Sequence, residues 1–480
     1  MSQHENHAFS GWYPRHREGL VYLDRRGMLK VSMAGLAGLT LPGLLAERAR
    51  AGREKRPMNR RKSVILLWMT GGPSHIDTWD PKPDRPYENR GPFGVIQTKL
   101  PGALICEHLP KQAAMLDKFT IIRSVDARKS DHEPNMVFQT GHRESRPRRN
   151  SKGFMYPAIG SIVAKHHGAN RPGMPAYIAF QKHPWHIAYS GYLEKRYDPF
   201  IANQTTKLPK YTNTGKDTGQ TIGGELFQFS ERLTLDRVNT RQQLLRQFDR
   251  MRRDLDLNGS MDAVDHYRRA AVEMVTGPQV RDAFDLSREP DDVRARYGNH
   301  LWCQQTLLAR RLVEAGASFV TVDLSYHPAS GTWDNHGVPG CLYRGISKGL
   351  GPLLPTFDHL LTTLVRDLEE RHLLDDVLVI AMGEFGRTPK IGTENSVDGR
   401  SHWPVVMSMS LAGGGLRHGQ IIGATQRDGG DVKERPIIPG DIAATIYRHM
   451  EVPLDTTYTD HRGRPRYILD DGGEPIRELL

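Results

Sequence analysis

Four short apolar runs punctuate the chain, each closing on glycine or polar residues. Ser63–Met69, Phe119–Arg123, Ser318–Asp323 and Val377–Met382 are continuous rather than alternating, the pattern of strands buried on both faces of a parallel sheet. Between them lie stretches with helical spacing, clearest at Asn299–Gly316 and Pro355–Leu374. In the second, Phe357, Leu360, Leu361, Leu364 and Leu368 mark one face. Strands alternating with helices predict an α/β fold, doubly wound, with a mostly parallel sheet and helices on both faces. In such a fold, binding residues gather just beyond the carboxyl ends of the strands. Residues 170–224 are irregular and rich in Pro, Tyr, Lys and Gly, whereas 225–297 are charged and helical. Together, 170–297 read as an insertion capping the sheet.

The start of the chain carries a different pattern. Arg25-Arg26-Gly27-Met28-Leu29-Lys30 precedes an uncharged run from Val31 to Ala46 and then Ala49-Arg50-Ala51. A charged region, a modest apolar region and small residues near a cleavage site are the parts of a signal peptide, and the paired arginines resemble the twin-arginine variant. Residues 1–51 are therefore expected to be a twin-arginine signal peptide, 52–62 a basic linker and 63–480 the folded domain. The expected partner is the twin-arginine export machinery, and the expected location the periplasm or cell envelope. The apolar run is shorter than the ~20 residues a spanning helix needs, so no stable transmembrane span is expected.

Composition narrows the partners. Of the net charge of +11, much sits in the first sixty residues and in Arg143–Lys152, with no zinc-finger, helix-turn-helix or RNA-binding signature beside it. Nucleic acid is therefore not an expected partner; an anionic ester or an acidic polymer is. The 3 cysteines, Cys106, Cys303 and Cys341, lie far apart, which argues against a disulfide framework or a structural zinc site.

The chemistry gathers where the runs end. After the first come His75, Asp77 and Asp80; after the second, Ser130-Asp131-His132-Glu133-Pro134; after the third, Asp323 and then Trp333-Asp334-Asn335-His336-Gly337. After the fourth come Gly383-Glu384-Phe385-Gly386-Arg387 and Gly399-Arg400-Ser401-His402. Each has a structural reading: His75 and Asp80 as turn hydrogen-bonders, Asp334 with Asn335 as an Asx turn, Glu384 with Arg387 as an ion pair. As a set, carboxylates and imidazoles converging from separate strand ends suit one or two divalent cations, Zn2+, Ca2+, Mg2+ or Mn2+. Such ions activate water and polarise phosphoryl or sulfuryl oxygens, and Arg387 is placed to clamp an anion. His142, His166, His167 and His327 read as surface or core residues.

The segments Leu66–Pro83, Trp333–Gly337, Gly383–Lys390 and Gly399–Pro404, behind a twin-arginine leader, resemble the domain-of-unknown-function 1501 family of exported bacterial proteins. That family is grouped with the alkaline phosphatase and sulfatase superfamily, and the resemblance extends from about Lys62 to the C-terminus. It implies a doubly wound α/β fold and usually two metal ions. By that resemblance Asp77 falls where the superfamily has a metal-binding Asp, and Asp334, His336 and His402 make one ion's ligand set. Glu384 stands where many members have the Asp of an Asp-His pair, but Phe385 follows it, which removes a ligand of the second ion. Ser130 is the candidate nucleophile, with His132 as a candidate ligand and water as the alternative attacking group; the sulfatase Cys-x-Pro-x-Arg signature is absent. The implied activity is metal-dependent hydrolysis of a sulfate or phosphate ester. The alternatives are a non-catalytic metal- or anion-binding envelope protein of the same fold, or a surface protein that binds polyanions through its charge.

Overall fold

The structure is a computed structural model that describes residues 12–14, 21–23, 62–130, 132, 136–145, 156–212, 216–224, 277–327, 329–340 and 343–480. Residues 1–60 and 61–480 are separate compact units. In the first, Trp12–Pro14 pairs antiparallel with Val21–Leu23; the segment expected to be a signal peptide from Arg25 on, and the linker up to residue 61, lie outside the described residues. No helix among the described residues is long and apolar enough to cross a membrane.

The second unit is built on eight strands: β1 (Ser63–Trp68), β2 (Phe119–Asp126), β3 (Tyr177–Phe180), β4 (Phe200–Ile201), β5 (Phe319–Asp323), β6 (Val377–Met382), β7 (Val406–Gly413) and β8 (Gln420–Ile422). They lie side by side in the order β8-β2-β7-β6-β1-β5-β3-β4. Strand β7 is antiparallel to both its neighbours, while the other pairings are parallel. The four apolar runs are all strands of this sheet. The expected cap from residue 170 is different: its Tyr177–Phe180 segment is a buried strand of the main sheet, paired in parallel with β5, and β4 extends that edge. Four apolar residues among Pro, Lys and Gly are too short a run to announce a strand by pattern. Residues 225–276 of that region lie outside the described residues.

Alternation along β1 shows how the layers form. Ile65 and Leu67 point into one core, with residues of α3 (Leu301–Ala315) and α4 (Gly351–Glu370). Val64, Leu66 and Trp68 point into the other, with α1 (Met136–Thr140), α2 (Ile159–His167) and α5 (Pro439–His449). A sheet buried on both faces leaves its strand ends as the place where polar groups can meet ligands. Helix α3 is bounded by His300, whose Nδ1 accepts the Trp302 N–H at 3.1 Å, and by Gly316 in the left-handed conformation.

That cap has a pH signature. Nδ1 of His327 likewise accepts the Ala329 N–H, at 3.2 Å, so both rings must be neutral to hold their bonds. Burial pushes His300 down to about 4 and His327 down to about 3. With folded values below the ordinary ~6.5, the unfolded chain takes up protons first, so this stability is complete above pH ~6.5 and drains away as pH falls towards 4. Denaturant titrations across this window are expected to show a loss of up to about 3 kcal/mol from each ring, and His327→Gln is expected to flatten the slope.

Candidate metal centre

Beyond β1 the chain turns through Thr70-Gly71-Gly72, and this turn brings the other strand ends in. Gly71 and Gly72 have φ of +112° and +74°; a Cβ on Gly71 would lie 2.5 Å from the Asp334 nitrogen and one on Gly72 2.6 Å from the Phe385 ring. Only glycine allows both the backbone conformation and the approach. The Gly71 N–H donates to Glu384 Oε1 at 2.8 Å, and the Trp333 N–H donates to the Thr70 carbonyl at 2.9 Å. Three strand ends, those of β1, β5 and β6, are thereby tied together.

Within this knot His132, Asp334, His336 and His402 each offer one atom, all lying within 4.8 Å of one another. Asp334 is the centre: Oδ2 is 3.2 Å from His132 Nε2, and Oδ1 is 2.8 Å from His336 Nε2 and 3.7 Å from His402 Nε2. The Nε2 atoms of His336 and His402 stand 3.0 Å apart. Ligand atoms roughly 2 Å from a tetrahedral ion are roughly 3.3 Å apart, so these spacings fit one small cation. The outer nitrogens fit as well: His132 Nδ1 meets Glu384 Oε1 at 3.1 Å and His336 Nδ1 meets Glu394 Oε2 at 2.9 Å. A carboxylate holding Nδ1–H leaves Nε2 as a lone-pair donor facing inward, which is how histidines are set for metal binding. Glu384 is fully buried, and its Oε2 has no hydrogen-bond partner, leaving negative charge that a cation would offset. The donor set of three imidazoles and one carboxylate suits Zn2+ or a similar borderline ion better than Ca2+ or Mg2+, which want oxygens.

Electrostatics follow from the contacts. Burial works against a charged His132 ring, but Asp334 and Glu384 outweigh it and raise the group to about 9. Burial also works against an ionised Asp334, yet Arg387 and the three imidazoles hold its carboxyl well below the usual range. The Ser401 hydroxyl, with His336 adding to it, keeps Glu394 low despite some burial. A cation bound at this site would displace the proton of His132.

The structure brings together four of the residues expected from sequence as ligands, His132, Asp334, His336 and His402, with Glu384 bracing His132. It sets Asp77 apart. The Asp77 carboxylate is buried, accepts the Ser74 hydroxyl at 2.5 Å and pairs with Arg400 Nε at 2.6 Å, so its charge is already neutralised. Arg387 is not an open anion clamp: Nε donates to the Gly72 carbonyl at 2.8 Å, Nη1 to the Arg400 carbonyl at 3.2 Å, and Nη2 to the Gly71 carbonyl and to Asp334 Oδ1, the last at 2.5 Å. Its donors are spent on three backbone carbonyls and on Asp334. It also pairs with Asp334 rather than with Glu384. Ser130 is buried two residues before His132, with no partner on Oγ, and contributes no atom to the cluster. Among the described residues there is one such group of ligands. Phe385 packs its ring against both His132 and His402, with centroids 4.9 Å from each.

Two participants were not expected. Glu394 sits in a polar loop between the Gly383–Lys390 and Gly399–Pro404 segments, and only that placement hinted at it. Arg400 lies inside the second of those segments, and nothing local pointed to its partner Asp77.

Several solved structures are similar to this chain at low identity. Ps i-CgsB, in complex with k-i-k-neocarrahexaose, superposes with a TM-score of 0.40 at 11% identity, covering 82% of this chain and 73% of its own. The PsFucS1 sulfatase from Pseudoalteromonas sp. gives 0.36 at 12% identity, covering 90% and 73%. The phosphonate monoester hydrolase of Agrobacterium radiobacter gives 0.34 at 12%, covering 87% and 77%. No curated protein matches the sequence. The family model described as "Protein of unknown function (DUF1501)" matches residues 61–480, nearly the whole chain and every residue of the cluster, and the chain belongs to that family.

Proposed function

We propose that the chain is an exported, metal-dependent hydrolase acting on a sulfate or phosphate ester. The observation that carries this reading is the convergence of His132, Asp334, His336 and His402 at the carboxyl ends of three strands, with Glu384 and Glu394 orienting two of the rings. A divalent cation held there would supply Lewis acidity next to a scissile ester. The protein's own groups do the rest: Arg387 keeps Asp334 ionised and in place, and Phe385 supports His132 and His402 from one side. With Ser130 outside the cluster, water is the favoured attacking group over a serine. The ester class comes from the sequence resemblance. Export to the periplasm or envelope rests on Arg25–Lys30 and the apolar run after it.

The test is hydrolysis of aryl phosphate and aryl sulfate esters by the full chain, with and without chelator. The expected result is turnover that chelator removes, zinc or manganese restores, and His402→Ala lowers by about 100-fold or more, the scale of a catalytic group's contribution. Folded, metal-loaded protein that hydrolyses neither ester would overturn the enzyme reading and favour a metal-binding envelope protein instead.

A further inference from the structure

A second histidine–carboxylate arrangement stands at the end of β5, outside the four-ligand cluster. Asp323 is buried, and its carboxylate accepts four hydrogen bonds. Thr70 Oγ1 and Ser325 Oγ donate to Oδ1 at 2.8 and 2.6 Å, while the Lys182 N–H and His186 Nδ1 lie 2.8 and 2.7 Å from Oδ2. An ionised carboxylate only accepts, so Nδ1 of His186 carries the hydrogen. Burial alone would raise Asp323, but His186, Ser325 and the Lys182 amide bring it below its ordinary value. The imidazole is thus fixed in tautomer and orientation, with Nε2 as its working atom. Its side chain is 18% exposed, so it can meet solvent or substrate.

Two sets of bonds connect its surroundings to those of the cluster. Thr70, which holds Asp323, is followed by Gly71, which bonds Glu384 and Arg387. On the other side Gln139 of α1, the helix that follows His132, donates to the His186 carbonyl at 2.6 Å and accepts the Ala188 N–H at 2.7 Å. The loop carrying His186 and helix α1 are thereby tied to each other.

We propose that His186, positioned by Asp323, is the proton donor to the departing oxygen of the ester, a role that rests on the hydrolase reading above. As the bond between phosphorus or sulfur and the ester oxygen breaks, that oxygen keeps the electron pair and takes the Nε2 proton. Water supplies the replacing oxygen and releases its own proton to solvent, from which the neutral imidazole is recharged. A proton donor matters most when the leaving oxygen is strongly basic.

The experiment has two arms on the full-length, metal-loaded protein. In the first, diethyl pyrocarbonate labelling read by peptide mass spectrometry is expected to modify His186; a folded protein that leaves His186 unlabelled overturns the proposal whatever its activity. In the second, His186→Gln is compared with the parent on phenyl and 4-nitrophenyl esters, metal content being checked in both. The expected result is unchanged metal, a loss of about 100-fold on the phenyl ester and less than about 5-fold on the 4-nitrophenyl ester. Equal losses on both esters, or none, overturn the donor role while leaving the hydrolase reading intact. A parent protein that is labelled at His186 but hydrolyses neither ester overturns the hydrolase reading, and the donor role with it.

Discussion

An Asp334→Asn protein is expected to fold but to bind no stoichiometric divalent cation. Asp334 is the carboxylate of the cluster and reaches His132, His336 and His402, with Arg387 paired to it. The amide keeps the shape and an acceptor for Arg387 but removes the only negative charge that offers itself directly to the ion. In the parent protein, an ion at a thousand times its dissociation constant adds about 4 kcal/mol to stability; in the variant that increment should vanish. Thermal unfolding with and without added Zn2+ or Mn2+ reads the difference. Glu394→Gln makes a graded comparison, since losing a carboxylate behind a ligating histidine weakens binding by about 10- to 100-fold. Equal metal-dependent stabilisation in parent and Asp334→Asn would mean that the ion sits elsewhere.

The second large effect is on folding. Arg400→Leu is expected to destabilise the protein by about 3–5 kcal/mol, because it strands a buried carboxylate. Arg400 is fully buried, pairs with Asp77, and also donates to the carbonyls of Asn89, Thr388 and Pro389. It therefore joins the loop after β1 to the segment that delivers Arg387 and His402. Urea denaturation measures the loss, and the double variant Asp77→Asn/Arg400→Leu should recover part of it, since no bare charge remains. Asp77→Asn alone separates the two readings of that residue. Lower stability with metal content kept supports the ion pair seen here; lost metal with stability kept would restore Asp77 as a ligand.

Those two acids show what residue type and position can and cannot convey. Asp77 and Asp334 both follow buried strands, and both sit among Gly, Ser, Trp and His. One faces an arginine from a segment more than 300 positions away, and the other faces three imidazoles as well as an arginine. The choice is made by tertiary pairing, which local pattern does not contain. His132 was similarly ambiguous, because Ser130, Asp131 and Glu133 offer other donors within three positions. The fold was more legible. Runs such as Ser63–Met69 and Val377–Met382 have no polar interior, so burial on both faces could be read directly. Strand β7 escaped that reading because Ser408 and Ser410 interrupt its Met and Leu residues, although the whole strand is buried. Phe385 was singled out in the sequence only as an aromatic following Glu384; that its ring packs against both His132 and His402 is tertiary information.

X-ray absorption at the metal edge of the full-length protein, loaded with one equivalent of Zn2+, addresses the central claim most directly. The expected first shell holds three imidazole nitrogens and a carboxylate oxygen at about 2.0–2.1 Å, with the imidazole signal reduced by one ring in His402→Ala. A shell of oxygens alone, or an imidazole count that His402→Ala leaves unchanged, would contradict it.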